Sequence, residues 1–310
     1  MLHISIHLLL RSIEFSYRLH ILVQSSVAAR SFLELAGLIS LGNQQEYDMT
    51  ETRKVGNAKG LYLEGIRDGN MREALDKYTG ERYTQHSTGV GDGKQGFMEF
   101  FGPFLEQNPV RDIQVVRAIE DGRYVFVHVY QSLNNGEAKW VTADLFDTDD
   151  QDRMIEHWDV IAPLVEETVS GRSMVDGPTE VTDLDKTEAN KQHVQAFFET
   201  VLLGGQFDKA ADYISPERYD QHNPHIEDGL AGLGKHVHGM VAEGVKAKYR
   251  KLHHLIGQGN FVVGFSHLQR GDSHYAVFDI FRLKNGKLVE HWDVQEKILA
   301  PEEWNNSGKF

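Results

Sequence analysis

The side chains best suited to proton transfer come in two matched sets. Glu156-His157-Trp158-Asp159-Val160 recurs as Glu290-His291-Trp292-Asp293-Val294, 134 positions later. Each pentapeptide sets a histidine, which exchanges a proton near neutral pH, beside carboxylates that become general bases once burial raises their proton affinity. More recurs at almost the same spacing. Arg82-Tyr83-Thr84-Gln85-His86 answers Arg218-Tyr219-Asp220-Gln221-His222 at 136, and Asp144-Leu145-Phe146 answers Asp279-Ile280-Phe281 at 135. A tandem duplication of a unit of roughly 110 to 130 residues accounts for the pattern, and that is the size of one domain.

Within each unit the apolar spacing predicts helices first and strands afterwards. Leu61, Leu63 and Ile66, then Met71, Ala74 and Leu75, then Phe97, Phe100, Phe101 and Phe104 follow the helical period. Runs from Ile113, Tyr124, Lys139 and Met154 have strand character. The second unit repeats this order, with helices from Lys186, Asp208 and Gly229 and strands from Ala247, Phe261, His274 and Lys287. The fold class is therefore α+β, with helices laid on an antiparallel meander. The domain boundaries expected are an extension at 1–48, a first unit at 49–164, a linker at 165–185, a second unit at 186–298 and a frayed polar tail at 299–310.

Loop length decides which strand residues share a face, because a slip of one residue turns every side chain over. Three-residue loops at Asn134-Asn135-Gly136 and Arg270-Gly271-Asp272 would place His128 with Asp144 and His267 with Asp279. A four-residue loop at 149–152 and a three-residue loop at 284–286 would set His157 across from Asp144 and His291 across from Asp279. Each unit would then gather two histidines and two aspartates on one sheet face, with Phe126, Phe146, Val277 and Phe281 around them. Asn285-Gly286 equally suits a two-residue turn, which would bring Trp292 opposite Asp279 and turn His291 away. Alternation places Trp158 and Trp292 on the opposite face as packing residues. The same histidines and aspartates could instead satisfy one another as a buried polar network. Two histidines and a carboxylate could also hold iron or zinc, although nothing in the spacing demands it. His236, His238, His253 and His254 are read as surface residues without a role.

Composition limits the partners. A net charge of −14 with no basic cluster disfavours nucleic acid and anionic membrane surfaces. The chain has no cysteine, so it has no disulfide and no thiolate chemistry. Residues 1–48 are interrupted by Arg11, Arg18 and Arg30 and fall short of a membrane span. They read as a mitochondrial transit peptide or as sequence ahead of a true start at Met49, and the second reading makes the protein cytoplasmic.

The run Asp279-Ile280-Phe281-Arg282, followed by Asn285-Gly286-Lys287-Leu288-Val289-Glu290-His291-Trp292-Asp293-Val294, resembles the C-terminal signature of the SnoaL-like polyketide cyclases. Gln221-His222-Asn223-Pro224-His225 with Asp228-Gly229 resembles that family's segment ahead of a helix. The resemblance covers both units. It implies the cone of the nuclear transport factor 2 and ketosteroid isomerase superfamily: three N-terminal helices packed on a strongly curved, mostly antiparallel sheet around a deep pocket. It also implies acid–base chemistry without a cofactor on a small hydrophobic or carbonyl-containing ligand, by aldol-type cyclisation, isomerisation or dehydration. Asp279 is then the base with His267 and His291 beside it, and Asp144, His128 and His157 are their counterparts. Substrate contacts are expected from His222, His86, Tyr219, Tyr83, Asp293, Asp159, Phe281 and Phe146. Since the superfamily includes proteins without catalysis, a ligand-binding or protein-association module is the alternative. Ser87-Thr88-Gly89 departs from Asn223-Pro224-His225, and the acidic turn at 148–152 is irregular. Both favour the second site. The units are expected to pair with each other through their outer sheet faces, with Trp158, Trp292, Val160 and Val294 at the contact.

Overall fold

The computed structural model of the chain describes residues 51–310. The expectations for 1–48 lie outside the described residues. In the first half, α1 (Arg53–Gly60) runs into a π-helical turn (Leu61–Arg67), followed by α2 (Met71–Tyr78), β1 (Thr79–Gln85) and α3 (Gly93–Gln107). Four long strands complete it: β2 (Arg111–Asp121), β3 (Tyr124–Leu133), β4 (Ala138–Thr148) and β5 (Met154–Pro163).

The second half repeats the order with one change. Here α4 (Thr187–Phe197) also ends in a π-helical turn (Phe198–Leu202), but the next helix is a 3-10 segment (Phe207–Asp212). It is followed by β6 (Asp220–Gln221), α5 (Gly229–Ala242), β7 (Ala247–Gln258), β8 (Phe261–Arg270), β9 (Ser273–Lys284) and β10 (Lys287–Lys297). The result is α+β with two five-stranded sheets, ordered β1-β5-β4-β3-β2 and β6-β10-β9-β8-β7. The short strands β1 and β6 run parallel to β5 and β10, whereas the long strands pair with one another antiparallel.

One face of each sheet carries its helices. Leu61, Met71, Leu75, Phe97 and Val127 form one core of this kind, and Val194, Phe198, Val201, Val262 and Phe281 form the other. A third core lies between the opposite faces of the two sheets, where Phe126, Leu145 and Val160 meet Phe265, Phe278 and Val294. Phe126 and Phe278 approach to 5.4 Å between ring centroids. The two tryptophans flank this core in matched sandwiches. Trp158 lies between His86 (4.8 Å, stacked) and His254 (4.7 Å), and Trp292 lies between His222 (4.5 Å, stacked) and the Arg117 guanidinium (4.1 Å).

The loops that set strand register differ from the expected lengths. The β3–β4 loop has four residues, pairing Leu133 with Ala138, and the β8–β9 loop has two, pairing Arg270 with Ser273. Each is one residue off, so each turns a predicted side chain over. In the last hairpins the loops are again one residue off, with Thr148 paired to Met154 and Lys284 to Lys287. Asn285 and Gly286 both have positive φ, as a type I′ turn requires. A β-bulge then absorbs one residue ahead of Glu156 and one ahead of Glu290, and restores the face that the loop alone would have reversed.

The tail is not frayed. Asn305 and Asn306 bond to the backbone of residues 87–90, and Lys309 is only 2% exposed. Residues 164–178 do the same for the second half: Val169 N–H bonds to Pro224 O, Ser170 Oγ to Gln221 O and Arg172 to Asp228.

Candidate active site

The bulges restore the expected face but not the expected partners: Asp144 pairs across the sheet with Asp159 and Asp279 with Asp293, while His157 and His291 sit two residues away on the same faces, opposite Phe146 and Phe281. These faces look toward the helices and enclose two cavities. The one in the first half has a volume of about 400 Å³ and is walled by Tyr62, Phe97, Phe101, Phe104, Trp140 and Phe146. The one in the second half, about 490 Å³, mixes Phe197, Tyr249, Tyr275 and Phe281 with His225, His236, Arg270 and Gln295. Its wall also includes Val165 and Met174 from the segment joining the halves.

At the floor of each cavity is the same relay. His157 Nε2 lies 2.9 Å from Asp144 Oδ1, and its Nδ1–H donates to Gln85 Oε1 at 2.9 Å. His291 Nε2 lies 3.1 Å from Asp279 Oδ1, and its Nδ1–H donates to Gln221 Oε1 at 3.0 Å. A ring that gives its Nδ1 proton to glutamine needs one further proton for the Nε2 contact, carried on the ring or on the carboxyl. The pair is therefore built to hold a shared proton. Neither buried glutamine Nε2 has a hydrogen-bond partner, so turning the amide over exchanges acceptor for donor; the ring then offers Nε2–H to an ionised aspartate. The irregular acidic turn at 148–152 does not disturb the first relay, since the bulge returns His157 to the Asp144 face.

Burial raises the proton affinity of both Asp144 and Asp279 above the usual carboxylate range, and the facing Asp159 and Asp293 add to the effect. The histidine hydrogen bonds act in the opposite direction. Tyr249 O–H lies 3.2 and 3.3 Å from the Asp279 oxygens. Its own pKa is raised well above the phenol value, by burial first and by the Asp279 charge second, which keeps it a proton donor. In the first half a phenol comes from a different element: Tyr62 on the π-helical turn, bonded to Thr142 Oγ1 at 3.0 Å. Asp144 Oδ2 is buried without a partner. Tyr83 and Tyr219 stack at 6.3 and 6.4 Å on the relay histidines.

The second aspartates are held differently. Asn223 Nδ2 donates to both Asp293 oxygens, at 2.8 and 2.7 Å, and Gln295 Nε2 donates to Oδ2. Asp159 instead accepts from Lys309 Nζ at 3.0 Å, and the same ammonium reaches Glu296 at 2.7 Å. Although burial alone would raise it, Asp159 is held below its ordinary value by the Lys309 charge.

Four expected site residues lie elsewhere. His128 pairs with Ala143 and faces the core between the sheets, where Arg117 Nη1 donates to its Nδ1 at 3.2 Å; burial lowers its pKa well below the ordinary histidine value. His267 pairs with Ala276 and contacts His274 at 2.8 Å, outside the cavity. His86 and His222 follow Gln85 and Gln221 by one residue, so alternation aims them at Trp158 and Trp292, and they pair with Glu156 and Glu290 at 3.0 Å. Phe126 is on the intersheet face for the same reason. His236, read as a surface residue, lines the second cavity. Gln85 and Gln221 were open to sequence reasoning, because each shares strand parity with Tyr83 or Tyr219. Tyr62, Tyr249, Arg270 and Lys309 left no comparable signal. Among the described residues no group of three or more His, Asp or Glu is arranged to hold a metal ion, and no helix is long and apolar enough to cross a membrane.

No protein-family model matches the chain, and no curated protein matches it in sequence. Solved structures similar to it include SnoaL-like polyketide cyclases and ketosteroid isomerase-like proteins, each over about a third of the chain. A candidate polyketide cyclase from Bacillus cereus is 16% identical, over 35% of this chain and 73% of its own, with a TM-score of 0.32. A candidate SnoaL-like polyketide cyclase from Jannaschia is 20% identical over 38% and 90%, with a TM-score of 0.31. A candidate ketosteroid isomerase from Kribbella flavida is 16% identical over 37% and 84%, also at 0.31.

Proposed function

We propose that the protein is an acid–base enzyme that needs no cofactor and acts on a small carbonyl compound, by aldol-type cyclisation, isomerisation or dehydration. In this reading the chain is a duplicated pair of cone-shaped units joined as an internal dimer. The face-to-face core between the sheets and the matched tryptophan sandwiches support the pairing. One observation carries the function: an aspartate whose proton affinity is raised by burial, hydrogen-bonded to a histidine at the floor of a cavity walled partly by aromatic rings. With the relay's shared proton on His291, Asp279 is ionised and takes a proton from the carbon alpha to the carbonyl on the oxygen that His291 does not hold. Tyr249, kept protonated by burial, donates to Asp279 while the carboxylate is ionised and can turn its O–H to the enolate oxygen once Asp279 has taken the proton. The proton is returned to another atom in isomerisation, or the carbanion attacks a second carbonyl in cyclisation.

The alternative is a binding module that keeps the cavity and its polar floor without turnover. Asp279→Asn separates the two, because it preserves shape while removing the base. Proton-to-deuteron exchange alpha to a ketone, followed by NMR in heavy water, should fall on the order of 10²-fold or more. Unchanged exchange in the variant would leave only the binding reading.

A further inference from the structure

Arg270 is the charge in the second cavity that the relay does not use. It ends β8 on the face that Asp279 occupies on β9, since Gly264, Ser266 and Leu268 pair in turn with Asp279, Val277 and Tyr275. Its Nη2 donates to Gln295 Oε1 at 2.5 Å and its guanidinium lies 5.2 Å from the Tyr275 ring, while Nε is buried with no partner. Among the described residues its hydrogen-bond partner is a neutral amide and no carboxylate pairs with it. The nearest acid along the network, Asp293, already takes both Asn223 bonds and that of Gln295. His225 and His236 line the same wall. Burial, with the Arg270 charge also contributing, lowers the His236 pKa and leaves that ring neutral, so the standing positive charge belongs to Arg270.

In a chain of net charge −14, an arginine in a cavity wall with an unfilled donor is a specific feature. The first cavity has no counterpart. Ile161 stands where Gln295 stands, and its nearby ammonium, Lys309, is committed to Asp159 and Glu296.

We propose that the second cavity takes a ligand bearing a carboxylate, bound by Arg270, with the remainder reaching along the sheet to Asp279. The proposal rests on the reading above in treating the Asp279 cavity as the working site. The guanidinium offers a fork of N–H donors that fits a carboxylate and is worth far less to an ester. The sequence Asp279, Asp293, Gln295, Arg270 places the anion site at the far end of the wall from the base, so the ligand is elongated.

The test uses the full chain with 6-oxo-6-phenylhexanoate and its methyl ester, binding being measured by calorimetry and exchange alpha to the ketone by NMR in heavy water. The acid should bind on the order of ten-fold more tightly than the ester. Arg270→Gln should bring the acid down to the ester's level, and Arg270→Lys should keep part of the preference. Equal binding of acid and ester, binding of neither, or a preference that survives Arg270→Gln overturns the proposal. An Arg270-dependent preference without any exchange would sink the catalytic reading and leave the anion site standing.

Discussion

Replacing Lys309 by methionine, the residue at the matching position 174, should strip from Asp159 the ammonium that pairs with it. Lys309 is 2% exposed and Asp159 5% exposed, with Nζ and Oδ1 3.0 Å apart. Breaking a buried ion pair by removing one partner costs about 3–5 kcal/mol. Here protonation of the orphaned carboxyl sets a ceiling. Lifting a proton onto an aspartate of ordinary pKa near 3.9 costs about 1.4 kcal/mol per pH unit, hence about 4 kcal/mol at pH 7 and about 1.5 at pH 5. The sign agrees with the direction of the shift. Asp159 is depressed in the folded protein, so its pairing stabilises the fold above the unfolded carboxyl value and that contribution is lost as pH falls. Urea denaturation of the wild type and Lys309→Met, followed by tryptophan fluorescence at pH 7 and pH 5, measures both differences. A loss under 1 kcal/mol at pH 7, or an equal loss at both pH values, refutes the reasoning. Adding Asp159→Asn to the variant should recover much of the loss at pH 7.

For a carboxylate-bearing ketone, Asp279→Asn should lower turnover on the order of 10²-fold or more in steady-state assays, and Asp144→Asn should leave most of it. The acid limb of the pH–rate profile should stand above the ordinary carboxylate value of about 4, because burial raises Asp279 and the base works only when ionised. Tyr249→Phe removes a hydrogen bond that favours the ionised carboxylate, so the same profile should show that limb moving to still higher pH. Gly264→Ala should cost about 1–3 kcal/mol in thermal or urea unfolding, since the added Cβ would come within 2.5 Å of Phe198 Cζ.

The strand positions were legible because β-branched and aromatic residues are concentrated in them, and the helices because their apolar residues recur at three and four. The short strands β1 and β6 were not, as Thr79–Gln85 is mostly polar and Asp220–Gln221 has two residues. Facing was the harder problem. His157 and His291 were assigned to the right face through loop lengths that were each one residue off, and a bulge in each hairpin cancelled the error. No bulge repairs the β3–β4 and β8–β9 pairings beside them, so His128 and His267 were assigned to the wrong face. Sequence patterning gives the period of a strand, but a single extra residue with no side-chain signature of its own decides which half of that period meets the cavity. Lys309 carries no such signal, because a polar tail reads as solvated until the buried acids it pairs with are known.

The two connecting segments have a topological consequence. Residues 164–178 leave the first sheet and finish the second half, where Ser173 O takes the His222 Nδ1–H at 2.7 Å. Residues 299–310 leave the second sheet and finish the first, where Gly308 O takes the His86 Nδ1–H at 2.7 Å. Each half thus lends its trailing strand end to the other, in the manner of a reciprocal domain swap written into one polypeptide. The second half taken alone would lack Val165 and Met174 from its cavity wall, and the first half taken alone would lack the Lys309 partner of Asp159, so severing the chain between 178 and 184 should leave two fragments that complement each other only when mixed.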